Sequence, residues 1–277
     1  METVGFVGTG AMGTALLSRL QLVPISATAF DIVPEALEQA KSLGAEPAAS
    51  AKAVAQRSTL IDVVVRTDQE VLDCMLGEEG ILEGASPGTL VLLHSTIRPT
   101  TTKQVAQAAA DKRVYVIDAC MTGVPTVARD GRLTFLVGGQ KALFNRAKPH
   151  LLKMGKDAVY MGPLGSGNVS KLIKNLVTAS EGLIIYEAIQ IGKAAGIDYR
   201  AALELMKKTQ SEPFLDRWET RFDLSGPELK FNSGANLYDK DLPLAADVGK
   251  ALGADIPVTE ELAKLGIRLS GGGKPSV

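Results

Sequence analysis

Histidine and cysteine are scarce in this chain of 277 residues, which holds two of each. His94 and His150 alone argue against an imidazole-built metal centre and against a histidine-dependent nucleophilic triad. Cys74 and Cys120 are too few for a disulfide framework, and read as reduced thiols of a cytoplasmic protein. An excess of charge is also missing. Thirty basic and 31 acidic residues leave a net charge of -1, which argues against nucleic acid or an anionic membrane surface as the main partner. No long apolar run is uninterrupted: the stretch from Leu172 to Gly192 contains Lys174, Asn175, Glu181 and Glu187, which disqualifies it as a membrane span. The N-terminus shows no basic segment followed by a cleavage site.

What remains is 45% hydrophobic and 22% charged, enough for a proper core, with 28 glycines and 13 prolines for tight turns. At roughly 150 residues per domain the chain makes about two domains. The first half alternates apolar runs with helical spacing. Strands are expected at Thr3–Gly8, Ser26–Phe30, Thr59–Val65, Thr89–Leu93, Arg113–Asp118, Leu133–Val137 and Ala158–Tyr160. Helices are expected at Met12–Leu22 and Pro34–Leu43. Unalternating β-branched and leucine runs suit strands buried on both faces of a parallel sheet. The expected fold is therefore a doubly wound, mostly parallel α/β domain over residues 1–164.

The character changes after Gly162. Asn168–Ala195 reads as one helix of about 28 residues, roughly 42 Å long. Tyr199–Lys207, Pro213–Arg221, Asp239–Leu252 and Val258–Leu269 also look helical, and no convincing strand appears. Residues 165–277 are thus expected to form an all-α C-terminal domain, joined through the long helix. That helix is apolar most of the way round, which favours a homodimer or homotetramer.

Two motifs carry chemistry. Gly8-Thr9-Gly10-Ala11-Met12-Gly13 follows a strand and opens a helix, as a dinucleotide turn requires. The first glycine permits the turn, the second admits a pyrophosphate, and the third lets helix and strand pack closely. Asp31 closes the second strand, where a carboxylate accepts ribose hydroxyls and repels a 2′-phosphate. The residues after it, Ile32, Val33 and Pro34, offer no cation, so NAD is preferred over NADP. Further on, Lys171 and Asn175 lie four apart, on one face of the long helix. An ammonium beside a carboxamide can hold a carbonyl oxygen and pass it a proton, and burial moves a lysine toward the acid–base range. The pattern by itself suits a lysine pair on a solvated face better than a catalytic site. Lys174, off that face, reads as the solvated one.

Four ordered segments resemble the β-hydroxyacid dehydrogenase family, which includes 3-hydroxyisobutyrate dehydrogenase and tartronate semialdehyde reductase. They are Gly8–Gly13; Asp118–Val124 with Gly131-Arg132-Leu133-Thr134; Gly167, Lys171 and Asn175; and Lys240-Asp241-Leu242 with Leu244, Ala245 and Asp247. The resemblance covers nearly the whole chain. It implies an NAD-dependent oxidoreductase acting on a small carboxylate, a short 3-hydroxy acid or its semialdehyde. It implies Lys171 as general acid/base, Asn175 on the substrate, Lys240 closing over the cofactor, and Ser95 and Thr96 beside the nicotinamide ribose. Asp241 either orients Lys240 or caps a helix.

The expected substrate loop departs from the family's usual D-A-P-V-S-G-G. Here it reads Asp118-Ala119-Cys120-Met121-Thr122-Gly123-Val124, followed by Pro125. Thr122 and Gly123 keep a hydroxyl and backbone N–H groups for a carboxylate, while Val124 adds apolar bulk. Met121 suits either the pocket or the core, and Cys120 reads as a small apolar wall residue. The rival functions are an imine reductase of the same architecture, against which Lys171 argues, and a non-catalytic dinucleotide-binding protein.

Overall fold

The computed structural model describes residues 2–23, 26–209, 222–223, 230–231 and 237–269. The chain divides into two compact units, Met1–Lys171 and Leu172–Val277.

The first unit is built on an eight-stranded sheet. Its strands are β1 (Val4–Val7), β2 (Ala27–Phe30), β3 (Glu46–Pro47), β4 (Leu60–Val63), β5 (Leu90–Leu93), β6 (Tyr115–Thr122), β7 (Thr134–Gly138) and β8 (Asp157–Gly162). They stand in the order β3-β2-β1-β4-β5-β6-β7-β8. All neighbours pair in parallel except β6 and β7, which are antiparallel. The direction of winding reverses beside β1, and in open α/β sheets ligands bind at the carboxyl ends of the strands at such a reversal. The helices of this unit are α1 (Ala11–Leu20), α2 (Pro34–Ser42), α3 (Ala51–Arg57), α4 (Asp68–Leu76), α5 (Pro99–Asp111), α6 (Pro125–Arg129) and α7 (Lys141–Met154).

Strand alternation explains the two cores. Phe6, Leu60, Leu92, Ala119 and Phe135 pack on one face with Leu16 and Leu17 of α1 and Leu151 of α7. Their chain neighbours Val7, Ile61 and Leu93 point the other way, onto Val54 of α3, Val71 and Met75 of α4 and Val105 of α5. Every residue of β4 and β5 is buried, as the unalternating apolar runs lead one to expect.

The long helix α8 (Ser166–Ala194) leaves the first unit and continues into the second. The second unit adds α9 (Tyr199–Thr209), a π-helical turn at Leu237–Asp241, α10 (Leu242–Ala251) and α11 (Pro257–Leu269). One apolar cluster joins Ile185 and Ile189 of α8 to Tyr199 and Leu203 of α9. Another joins Ala179 and Leu183 to Leu237, Tyr238, Leu242 and Ala263. Ile173, Val177 and Ile184 form an exposed apolar stripe on α8.

Three details differ from the sequence-based expectation. β6 runs on through Thr122, so most of the expected substrate loop is strand; pairing with β7, which only the fold supplies, extends it. The helix expected from Asp239 begins as the π-helical turn. A two-residue antiparallel ladder, Phe222–Asp223 with Lys230–Phe231, supplements the helices of the second unit. The helix expected at Pro213–Arg221 lies outside the described residues. No helix of the described residues is long and apolar enough to cross a membrane.

Candidate functional site

The β1–α1 turn is shaped by backbone sterics. Gly8 has φ +92°, and a Cβ there would lie 2.4 Å from the Val64 carbonyl oxygen. A Cβ on Gly13 would lie 2.3 Å from the Gly8 carbonyl oxygen. Neither oxygen can retreat, so both positions require glycine. Gly10 is different: a Cβ there would have no neighbour within 4 Å among the described residues. Gly10 and Ala11 are exposed and Met12 is half-buried. Among the described residues no side chain caps α1, so its first N–H groups and positive dipole end face open space.

Asp31 braces this turn. Its Oδ2 accepts the Thr9 backbone N–H at 2.6 Å and the Thr9 hydroxyl at 3.3 Å, while Oδ1 accepts the Val33 N–H at 2.9 Å. Carboxylate oxygens accept more than one hydrogen bond each, so ribose hydroxyls can share them. These features fit a dinucleotide: space above Gly10, uncapped helix amides, and a carboxylate one strand away.

Beyond β5, the Ser95 hydroxyl donates to the Val65 carbonyl at 2.6 Å. The Ser95 carbonyl accepts the Cys120 thiol at 3.4 Å and the Asn168 side-chain amide at 3.1 Å. Thr96, next in the chain, is half-buried.

The start of α8 is held by a residue far upstream. The carboxylate of Asp118, fully buried on β6, accepts the backbone N–H groups of Gly165 and Asn168, each at 2.8 Å. Burial pushes this carboxyl above its ordinary value, against the lowering effect of those N–H donors. The fit explains Gly167: a Cβ there would lie 2.4 Å from the Leu136 carbonyl oxygen and 2.7 Å from Asp118 Oδ2. Asn168, also fully buried, accepts the Thr102 hydroxyl at 2.8 Å. Lys171 follows one turn later and is half-buried.

The segment expected to grip substrate is largely committed elsewhere. The Thr122 hydroxyl donates to the Thr134 carbonyl at 3.1 Å, across the β6–β7 ladder. Met121 and Cys120 are core residues. Gly123 has φ +141°, where Leu133 and Val127 leave no room for a side chain. Val124 beside it is exposed. Cys74, the other thiol, is pushed up to about 12, by burial first and by the charge of Asp73 second, which makes it a poor nucleophile.

In the second unit, buried Asn175 donates through Nδ2 to Asp241 Oδ2 at 2.7 Å. Lys240 Nζ stands 3.8 Å from Asp241 Oδ1. Asp241 makes no side-chain cap to α10, so of its two expected roles the structure favours orienting its neighbours. Lys174 is not simply solvated: its Nζ donates to Asn175 Oδ1 at 3.3 Å. The structure thus groups Asn175, Asp241, Lys240 and Lys174, and separately groups Asp118, Asn168, Ser95 and Cys120. Sequence reasoning missed the roles of Asp118 and Asn168. Only the buried context of an acid and an amide reveals them. Among the described residues no cluster of His, Cys, Asp or Glu could hold a metal ion.

Residues 3–162 match the family described as the NAD binding domain of 6-phosphogluconate dehydrogenase. Residues 165–275 match the NAD-binding family of NADP-dependent 3-hydroxyisobutyrate dehydrogenase. The probable mitochondrial 3-hydroxyisobutyrate dehydrogenase of Dictyostelium discoideum is 31% identical over 262 residues, 91% of this chain and 80% of that protein. The NAD-dependent L-serine dehydrogenase of Pseudomonas aeruginosa is 29% identical over 264 residues, covering 93% of this chain and 89% of that one. The solved 3-hydroxyisobutyrate dehydrogenase of Mycobacterium tuberculosis with L-serine superposes with a TM-score of 0.83 at 25% identity, covering 97% and 93%. An imine reductase from Myxococcus stipitatus shares the fold, at a TM-score of 0.65 and 19% identity. Fold and glycine turn together define a dinucleotide-binding oxidoreductase. The chain belongs to the β-hydroxyacid dehydrogenase family.

Proposed function

We propose that the chain is an NAD-dependent oxidoreductase that interconverts a short 3-hydroxy acid and its semialdehyde or oxo acid, with Lys171 as general acid/base. The observation that carries this reading is the fixing of α8: Asp118 and Asn168 tie its first turn to β6 and to Ser95, and Lys171 is the next residue on that face. Residues 1–164 hold the cofactor and residues 165–277 supply the substrate side. Gly8, Gly10, Ala11, Met12 and Gly13 cradle the pyrophosphate, Asp31 takes the adenosine ribose, and Ser95, Thr96 and Lys240 complete the cofactor contacts. Bound nicotinamide supplies the hydride donor or acceptor. Lys171 Nζ gives a proton to the substrate oxygen during reduction and takes the hydroxyl proton during oxidation. Asn175 Nδ2 carries a second N–H besides the one given to Asp241, and that N–H orients the substrate oxygen or carboxylate. The backbone at Thr122 and Gly123 faces the carboxylate. The Asp31 carboxylate repels a 2′-phosphate, which supports NAD over NADP. The exposed stripe of Ile173, Val177 and Ile184 supports a homodimer or homotetramer. Two free thiols support a cytoplasmic home.

The test is NAD-linked oxidation of 3-hydroxyisobutyrate and L-serine by Lys171→Ala. Turnover should fall by about 10² or more while NAD still binds. Unchanged turnover removes Lys171 from the mechanism. NAD binding by the unaltered chain, with no turnover on any C3 to C6 hydroxy acid, would leave a non-catalytic dinucleotide-binding protein.

A further inference from the structure

Both histidines of the chain converge on one buried aspartate. Asp62 lies in the middle of β4 with its side chain fully buried. His94, just past β5, places Nε2 2.8 Å from Asp62 Oδ1. His150, on α7, places Nε2 2.7 Å from Asp62 Oδ2. The other ring nitrogen of His94, Nδ1, stands 2.7 Å from the Ala119 carbonyl oxygen on β6. A carbonyl only accepts, so Nδ1 carries a hydrogen. Burial alone would raise the Asp62 carboxyl, but the charges and hydrogen bonds of His150 and His94 outweigh it and hold it at about 2. An ionised carboxylate also only accepts, so Nε2 of His94 carries a hydrogen as well. A carbonyl on one ring nitrogen and a carboxylate on the other is the pairing that an imidazolium makes, here with both side chains fully buried.

A desolvated ion pair is a weak source of stability, and an apolar pair of similar volume often serves as well or better. Its directionality is what an apolar pair lacks. The His94 ring spans β4 to β6, and its backbone N–H donates to the Val63 carbonyl at 3.0 Å. One residue on, the Ser95 carbonyl receives Asn168 and Cys120. Asn168 stands three residues ahead of Lys171 on α8.

We propose that His94, held as an imidazolium by Asp62, is a positioning residue: it sets the Ser95 carbonyl, and through Asn168 the turn of α8 that presents Lys171. The coupling to turnover rests on the reading of Lys171 given above; the protonation of His94 does not.

With two histidines in the whole chain, selective ¹⁵N-histidine labelling yields a spectrum of two rings. In the full chain with NAD bound, at pH 7, one ring should show two protonated nitrogens. A spectrum in which both rings carry a single proton overturns the ion pair, and needs no variant. The second arm is kinetic, run well below each variant's melting temperature with 3-hydroxyisobutyrate and L-serine as probe substrates. His94→Gln cannot bridge Asp62 and Ala119 at once. Its kcat should fall by about tenfold or more, with KM for NAD within about twofold. His150→Gln, which keeps the His94 contacts to Asp62 and Ala119, should stay within about twofold of the unaltered enzyme on both. A His94→Gln enzyme that melts earlier yet keeps its kcat overturns the positioning role. Should that variant fail to fold, Asp62→Asn tests the same coupling with the volume kept, and unchanged kcat there overturns it equally. If Lys171→Ala keeps its turnover while His94→Gln loses it, the Lys171 reading fails and the positioning of Ser95 stands.

Discussion

Two glycine-flanked turns open the helices on which the site depends, and their ends are treated in opposite ways. Gly8-Thr9-Gly10 leads into α1, whose first amides carry no side-chain cap among the described residues and whose Gly10 is exposed. Gly165-Ser166-Gly167 leads into α8, where a buried carboxylate already takes the N–H groups of Gly165 and Asn168. Both helix ends offer the same attraction for an anion. The first leaves it open, whereas the second spends it on the protein's own Asp118 and so fixes the turn that precedes Lys171. Two turns with one sequence pattern thus leave one helix end open and anchor the other. What separates them is an acid 47 residues upstream of Gly165.

The comparison can be broken at each end. The largest effect is expected at the open turn. Gly13→Val drives a side chain into the Gly8 carbonyl, and NAD binding should weaken by about 10² or more, read by calorimetric titration. Binding at the original strength would show that the turn does not need its close helix–strand contact. Gly10→Ala separates space from shape, because its methyl group enters open volume. Here NAD should weaken by about tenfold with the melting temperature unchanged; a stability loss with normal binding would contradict an open site. At the anchored end, Asp118→Asn places an amide where only acceptors fit. It should cost about 2 kcal/mol of unfolding free energy in urea titrations, with NAD affinity nearly intact. A larger loss of NAD than of stability would return Asp118 to the cofactor site.

The last effect is one of pH, and it contrasts the two buried acids. The folded-state pKa of Asp62 is depressed, to about 2 from an ordinary 3.8, so its contribution is present above the unfolded value and is lost as pH falls toward 2. That loss amounts to about 2 kcal/mol. Asp118 is raised, so its contribution has the opposite sign: protonation of the folded state favours folding as pH falls through the raised value. Acid unfolding followed by circular dichroism should show a drop in stability between about pH 4 and 2 that Asp62→Asn flattens. An unaltered slope in that variant would assign the drop to other carboxylates.

The legible parts of this chain are those set by near neighbours. β5, and β4 apart from its one aspartate, were readable because a strand buried on both faces is mostly apolar. The glycine turn was readable because its demands are local: Gly8 takes a positive φ, and Gly13 meets the Gly8 carbonyl five residues back. The hydroxyl partner of Thr122 was not legible, because its acceptor, Thr134, comes from the antiparallel neighbour strand. The partner of Lys174 was not legible, because a helical wheel gives direction but not reach, and its ammonium extends to Asn175. The His94–Asp62–His150 cluster was out of reach altogether, since its members lie 32 and 88 positions apart. A count of two histidines suggested little for imidazole to do; the fold places both against one acid in the sheet core.

The anchoring of α8 also bears on how the protein can be cut. A fragment ending at residue 164, the natural place by composition, would keep Asp118 in the sheet core while removing both Gly165 and Asn168. It would strand a buried carboxylate without its donors, at a cost of about 1–3 kcal/mol. A fragment carried on through Lys171 keeps those bonds. The cofactor half of the chain is therefore expected to stand alone more stably when it takes the first turns of the other half's helix with it, and comparing the melting temperatures of the two fragments would show whether it does.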